Sequence, residues 1–256
     1  MGGSSENQVG EGTESGGPAP WGFWATLGFA LLAAAVVVVV QTVIGYLSAS
    51  AMLAENPDAD LDELAQALEH DGRLLARATI GTGIIGTLVV IGLVKLRRGA
   101  KVTDYLGLVR PSLKSLFGWL GVMVALVLVC DTLTHFSGHD VVPDFMKNIY
   151  ETSGNPFLFV LALVLMAPLF EEFLFRGFLF AGWSNSKLGV YGTIVLTSLI
   201  FAAVHLQYDL FHIGIVFMVG LVLGIARHQS RSILVPIAMH ALGNFIASLE
   251  VAWLYR

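Results

Sequence analysis

Residues 158–181 read LFVLALVLMAPLFEEFLFRGFLFA, an apolar run that can cross a bilayer and yet contains three ionisable side chains. A membrane-spanning helix needs roughly 20 apolar residues, and a charged side chain at the bilayer centre costs about 2.5–3.5 kcal/mol on insertion scales. Glu171, Glu172 and Arg176 must therefore face other protein groups or a water-filled cavity instead of lipid. Charge at this depth predicts a functional site inside the membrane.

The composition of the whole chain is that of a membrane protein. The 256 residues are 55% hydrophobic and 13% charged, whereas soluble domains carry about 25% charged residues. The apolar segments predict an all-α, polytopic transmembrane helical bundle of about seven spans, plus a short amphipathic surface helix near residues 61–68. The predicted spans are 23–50, 74–96, 116–135, 156–182, 189–207, 210–226 and 233–255. A polar loop is expected between the third span and Asn155. The net charge of −5 gives no indication of a nucleic-acid partner.

The chain divides into a polar tail and one membrane domain. Residues 1–20 are rich in Gly, Ser and Glu and are predicted to be disordered. Residues 21–155 hold the N-terminal transmembrane helices and loops. Residues 156–256 form the predicted catalytic helical core, because short connectors there favour a compact bundle. In the sixth span, Gly220 and Gly224 form a GxxxG pair that lets helices approach closely, although glycine is also simply common in membrane helices.

The basic residues predict how the chain sits in the membrane. They are concentrated in the connectors 97–114, 183–188 and 227–232, which share one side if the spans alternate. Cytoplasmic loops are enriched in Lys and Arg. We therefore expect an integral protein of the bacterial cytoplasmic membrane, with its N-terminus inside and its C-terminus outside.

Two later apolar segments carry polar pairs at the i, i+4 spacing that places both residues on one helix face. Phe201 and His205 share a face of the fifth span, and His240 and Asn244 share a face of the seventh. If these faces converge on Glu171, the site holds a carboxylate that burial can poise as a general base. It also holds two imidazoles and an amide able to donate to an oxyanion. Such a group can hydrolyse an amide with an activated water.

Each element of this pattern also has a structural interpretation. Glu172 and Arg176, at i, i+4, can pair purely to hold helices together. A lone histidine at a helix edge is often a packing residue, and His240 with Asn244 can form an interhelical hydrogen bond. Proton-coupled transport uses intramembrane Glu and His as well. The occurrence of all three polar pairs in order along the chain favours chemistry.

The motifs resemble those of a known family. EEFLFR (171–176) is similar to the EExxxR motif of the CAAX-protease and bacteriocin-processing family, also called CPBP or Abi. FAAVH (201–205) resembles its FxxxH motif, and HALGN (240–244) resembles its HxxxN motif. The resemblance covers roughly residues 156–248 and departs from the pattern at no motif position.

This resemblance implies an intramembrane endopeptidase that hydrolyses a peptide bond near the C-terminus or membrane segment of a substrate, similar to CAAX prenyl endopeptidases. By analogy, Glu171 would activate the water with the help of His205, and His240 and Asn244 would stabilise the oxyanion. The remaining motif residues would support the geometry or shape the cavity: Glu172, Arg176 and Phe201. The implied partners are membrane lipid and a peptide or membrane-protein substrate.

Three alternatives remain open at the level of sequence. The resemblance favours a glutamate mechanism without a cofactor, but Glu171, His205 and His240 are also a ligand set for a catalytic zinc ion. The HExxH motif of the common zinc proteases is absent. A non-catalytic bacteriocin-immunity or binding protein on the same scaffold is the second alternative, and a proton-coupled transporter is the third.

Overall fold

A computed structural model describes residues 18–255, which contain ten helices and no β-strand. The predicted all-α, polytopic bundle is confirmed. The predicted tail lies largely outside the described residues, as does the C-terminal Arg256. The helices are α1 (Phe23–Glu55), α2 (Leu61–Glu69), α3 (Gly72–Lys95), α4 (Val102–Leu106), α5 (Leu113–Phe136), α6 (Asp144–Thr152), α7 (Pro156–Ser184), α8 (Gly189–Ala203), α9 (Leu210–Ser230) and α10 (Leu234–Leu254).

The predicted count of seven spans is not confirmed. Six helices are long and apolar enough to cross a membrane: α1, α3, α5, α7, α9 and α10. Helix α8 has 15 residues, about 22 Å at 1.5 Å per residue, whereas the hydrocarbon core is about 30 Å thick. The predicted fifth span, 189–207, is therefore too long: the helix ends at Ala203, and the next residues turn towards Asp209, which caps α9 by accepting from the His212 amide.

Two elements between the spans were not predicted. The segment before Asn155 was expected to be a polar loop, but it contains α6, whose Ile149 is buried. A short helix, α4, lies in the basic connector. Helices this short are marginal in isolation and form because tertiary packing stabilises them, so their sequence pattern is a weak signal. The predicted amphipathic helix is present as α2, with Asp60 capping its first turn.

Helix α7 is not a uniform α-helix. It includes two π-helical stretches, Leu161–Met166 and Phe173–Leu179. Proline lacks an amide hydrogen and interrupts the backbone ladder, and Pro168 lies between the two stretches. Wide turns of this kind often occur at functional sites. Glu171 and Glu172 lie directly between Pro168 and the second wide stretch.

Glycines let neighbouring helices approach α7 and α9 closely. A Cβ atom at Gly220 would lie 3.0 Å from the Ser198 side chain, and one at Gly224 would lie 2.9 Å from Ile194. The GxxxG pair therefore packs α9 against α8. On α3, a Cβ at Gly86 would lie 2.5 Å from the ring of Phe170, the residue before Glu171.

We expect Gly86→Val to lower the free energy of unfolding by about 1–3 kcal/mol, because the added methyl groups overpack the contact with Phe170. Thermal unfolding of the detergent-purified protein measures the effect. Gly92→Val is the matched control, since Gly92 lies on the same helix and a Cβ atom there would meet no neighbouring atom within 4 Å. Equal stability of the two variants would show that the close approach of α3 and α7 does not contribute to the free energy of unfolding.

The connectors and loops gather at two opposite ends of the bundle. We call one the basic end; it contains residues 96–112, 185–188 and 231–233. There the Arg227 side chain donates to the Leu106 carbonyl (3.4 Å), and the Ile233 amide donates to the Gly107 carbonyl (2.9 Å). Arg227 also lies over the Phe180 ring, near the end of α7 (5.2 Å).

The other end, which we call the loop end, contains residues 56–71, 137–155 and 204–209. Thr152 donates to the His70 carbonyl (2.6 Å), and the His212 ring bonds to the Asp140 carbonyl (3.1 Å). The contacts at each end agree with alternating helices, so the three basic connectors lie on one side, as the sequence pattern predicted.

Candidate active site

The two adjacent glutamates of α7 have different surroundings. Glu172 and Arg176 are both fully buried, and the Arg176 guanidinium donates to Glu172 Oε1 (2.9 Å) as the i, i+4 spacing predicted. Arg176 also donates to the Gly220 carbonyl of α9 (2.9 Å). The Glu171 side chain, by contrast, is 23% exposed. Glu171 is therefore the glutamate that water and a substrate can reach.

His240 of α10 joins the two glutamates. Its Nδ1 lies 2.9 Å from Glu172 Oε1, and its Nε2 lies 3.7 Å from Glu171 Oε2. A carboxylate can only accept hydrogen bonds, so Nδ1–H donates to Glu172. A protonated His240 would carry its second N–H on Nε2, beside Glu171. Glu172 thus fixes the orientation of the imidazole ring.

The orientation of His205 follows from a backbone contact. Its Nδ1 lies 2.7 Å from the Phe201 carbonyl, which can only accept, so Nδ1 carries a proton. In the neutral imidazole Nε2 is then a free acceptor. Nε2 of His205 can therefore accept a hydrogen bond from a water molecule and orient it.

Phe201 lies at the centre of this group. Its ring centroid is 4.8 Å from that of His205 and 5.7 Å from that of His240, and the Arg176 guanidinium lies over its face at 4.7 Å. The predicted residues of the three motifs are thus brought together by one aromatic ring that is 2% exposed. Phe201 thus contacts both imidazoles edge-on.

Asn244 bonds to a backbone carbonyl in the first π-helical stretch of α7. Its amide donates to the Leu163 carbonyl (2.8 Å). In a π-helical turn this carbonyl would accept from the residue five positions later, as Ala162 does from Ala167. That position is Pro168, which has no amide hydrogen. The proline therefore leaves a carbonyl free for Asn244, whose second N–H remains available to another acceptor.

The motif analysis did not identify two residues near His205. The Tyr208 ring lies nearly parallel to that of His205, with centroids 6.1 Å apart. Partial desolvation raises the pKa of the Tyr208 phenol to about 12, so it stays a hydrogen-bond donor. His212 bonds to Asp209 (2.9 Å) and to the Asp140 carbonyl, which holds the segment that carries His205. For His212, the sequence signal was Asp209 three positions earlier, because aspartate commonly caps the start of a helix.

The arrangement of His, Cys, Asp and Glu side chains bears on the zinc alternative. In residues 18–255, no group of three or more His, Cys, Asp or Glu side chains has a spacing that could hold a metal ion. The Nε2 atom of His240 nonetheless lies beside Glu171 at 3.7 Å. The effect of a chelator on cleavage tests the role of a metal.

Comparisons with known proteins agree with the motifs. Residues 153–246 match the family described as type II CAAX prenyl endopeptidase Rce1-like. An uncharacterized 24.3 kDa protein of Escherichia coli is 34% identical over 100 residues, which are 38% of this chain and 46% of that protein. The membrane-embedded CAAX protease MroQ of Staphylococcus aureus (strain USA300) is 31% identical over 136 residues, which are 51% of this chain and 54% of that protein.

The chain thus spans about half the length of the curated relatives it matches. No solved structure gives a significant match to it. The family match ends just after Asn244 and contains all three motifs, so the comparisons and the geometry concern the same residues.

Proposed function

Residues 153–246 belong to the CAAX protease family, and from this premise we propose that the chain is an intramembrane endopeptidase with a glutamate-activated water. The chain is an integral membrane protein, as its six apolar helices and its membrane-protease relatives indicate. The observation that carries the proposal is the unequal pair of glutamates. Glu172 Oε1 bonds to both Arg176 and His240, which leaves Glu171 as the partly exposed carboxylate, with His240 Nε2 3.7 Å away.

In the proposed reaction, Glu171 removes a proton from a water molecule that His205 helps to orient. The resulting hydroxide attacks the carbonyl carbon of the peptide bond and forms a tetrahedral oxyanion. Asn244 and the imidazolium of His240 donate hydrogen bonds to this oxygen. The C–N bond then breaks, and the leaving nitrogen takes the proton from the carboxylic acid of Glu171, which regenerates the carboxylate. Glu172, Arg176 and Phe201 keep the site in position.

The proposal is tested by cleavage of a fluorogenic membrane-peptide library with detergent-purified protein. We expect cleavage by the wild-type protein and none by Glu171→Gln. Absence of cleavage in both would favour the two alternatives, a non-catalytic binding protein and a proton-coupled transporter. The substrate is proposed to be a peptide or membrane protein cleaved near its C-terminal or membrane segment, in the bacterial cytoplasmic membrane.

We expect cleavage to survive a strong chelator, because the proposed base and oxyanion donors are protein groups. The rate before and after chelation, followed by zinc addition, measures this. A rate that falls on chelation and returns with zinc would instead assign Glu171, His205 and His240 as metal ligands.

Asn244→Ala should lower kcat by about 10²–10³-fold with little change in KM, because an oxyanion donor acts mainly in the transition state. Steady-state kinetics on the best library peptide give both constants. Ser248→Ala is a suitable control, since Ser248 lies one turn further along α10 and bonds only to the Asn244 carbonyl. A raised KM with unchanged kcat would contradict the oxyanion role.

A further inference from the structure

The residues of α7 on the two sides of Glu171 differ in their exposure. Towards the basic end, the twelve residues 172–183 are all buried. Towards the loop end, partly exposed residues recur on α7, and Glu171 itself is partly exposed. Glu171 is therefore the last reachable residue before a continuous buried stretch.

The other two helices of the site also expose residues on their loop-end side. On α8, Phe201 and Ala202 are buried, whereas residues 203–207 beyond them are exposed or partly exposed. On α10, Met239 and His240 are buried, whereas residues 241–244 are partly exposed. One-sided burial is limited to α7, because exposed side chains also recur on α8 nearer the basic end: Tyr191, Val195 and Leu199.

The basic end is closed by the connector between α3 and α5. Tyr105 of α4 stacks on Phe178 of α7, with ring centroids 5.9 Å apart. Arg227 donates to the Arg176 carbonyl (2.9 Å) and to the Leu106 carbonyl. Gly107 has a φ of 71°, which favours glycine, and a Cβ atom there would collide with the Arg227 guanidinium. These contacts pack α4 and the end of α9 against the buried half of α7, and a cavity of about 350 Å³ lies outside them at the basic end.

At the loop end, aromatic side chains border the site without filling it. Tyr208, beside His205, is partly exposed, and its ring meets that of Phe145 on α6 edge-on, with centroids 6.1 Å apart. His205 and Asn244 also remain partly exposed. The partly exposed side of the site is therefore bordered by the segment 204–209 and helix α6.

The charge distribution relates these two ends to the two sides of the membrane. The basic end and the helix termini beside it carry nine of the fourteen Lys and Arg residues: Lys95, Arg97, Arg98, Lys101, Arg110, Lys114, Lys187, Arg227 and Arg231. In the described part of this end, Asp104 is the one acidic residue. The loop end is rich in Asp and Glu. Positive charge of this kind marks the cytoplasmic side.

We propose that the site opens to the extracytoplasmic side, so that the substrate is a membrane-anchored peptide or protein whose cleavable bond emerges on that side. This inference rests on the proposed function for its substrate, but the opening itself is a property of the fold. A bond in a cytoplasmic segment would meet the closed basic end. A bond near the outer surface of the membrane reaches Glu171 between Tyr208 and Asn244.

The opening can be tested without any cleavage. In a Cys130→Ser background, which removes the lone cysteine, Glu171→Cys puts a thiol in the site of the full-length protein. We expect a small, membrane-impermeant methanethiosulfonate cation to modify it at least tenfold faster in intact cells than in inside-out vesicles. Faster modification in inside-out vesicles, or modification in neither, would overturn the proposal.

Two exposed positions serve as orientation controls in the same background. Gln207→Cys lies at the loop end and Lys187→Cys at the basic end. We expect an impermeant maleimide to label Gln207→Cys in intact cells and Lys187→Cys only after permeabilisation. The reverse pattern would place the opening on the cytoplasmic side and overturn the proposal even if Glu171→Cys were readily modified.

The substrate is tested separately with single-span reporters that carry the best library sequence on either side of the membrane. Processing that depends on Glu171 is expected only for the outer position, and processing of the inner position alone would overturn the inference. If neither reporter nor any library peptide is cleaved, the proposed endopeptidase function fails, while the thiol experiments still decide where the site opens.

Discussion

Glu171→Gln is expected to abolish cleavage while the protein remains folded. The amide cannot accept the proton of the attacking water, and loss of a general base costs about 10²–10⁴-fold in rate. Because Glu171 is partly exposed and its nearest polar contact, His240 Nε2, is 3.7 Å away, the substitution breaks no strong bond. We therefore expect thermal unfolding to change little. Single-turnover cleavage together with thermal unfolding measures both effects.

Glu151→Gln makes the same chemical change at an exposed position of α6 and should retain full activity. Turnover by Glu171→Gln at the wild-type rate would remove Glu171 from the role of base. Loss of activity accompanied by a large loss of stability would show that Glu171 supports the fold instead.

Arg176→Met is expected to destabilise the protein by about 3–5 kcal/mol, the usual effect of removing one partner of a buried ion pair. Glu172 Oε1 would lose one of its two donors, keeping only His240, and the Gly220 carbonyl would lose its bond from Arg176. Methionine retains most of the side-chain volume, so packing against Phe201 is largely kept. Unfolding in detergent, followed by heat or by a denaturing surfactant, gives the size of the effect.

The double variant Glu172→Leu with Arg176→Met separates stability from catalysis. Removing both charges should recover part of the lost stability, because no uncompensated buried charge remains. Activity should stay low, because the Nδ1–H of His240 has lost the carboxylate that orients it. A double variant that is as unstable as Arg176→Met, or that cleaves normally, would contradict the assigned role of the pair.

Much of the architecture could be predicted from local pattern. Apolar length predicted the six long helices, and i, i+4 spacing predicted the Glu172–Arg176 pair, because both depend on residues close in sequence. The predicted helix boundaries were wrong where tertiary packing determines whether a segment is helical. Helix α8 is shorter than its apolar run, and α6 forms in a segment that was expected to be a polar loop. The division at residue 156 and the absence of a cofactor stay predictions.

The sequence by itself determined that this chain is a helical membrane protein and which polar residues its spans carry, since the bilayer imposes length and polarity on each helix separately. Only the tertiary structure decided which glutamate is engaged and which is exposed. It also decided which atoms of His205 and His240 are free and which end of the site is closed. These properties depend on contacts such as that between His240 and Glu172, 68 positions apart. Contacts over such a separation cannot be inferred from a local sequence pattern.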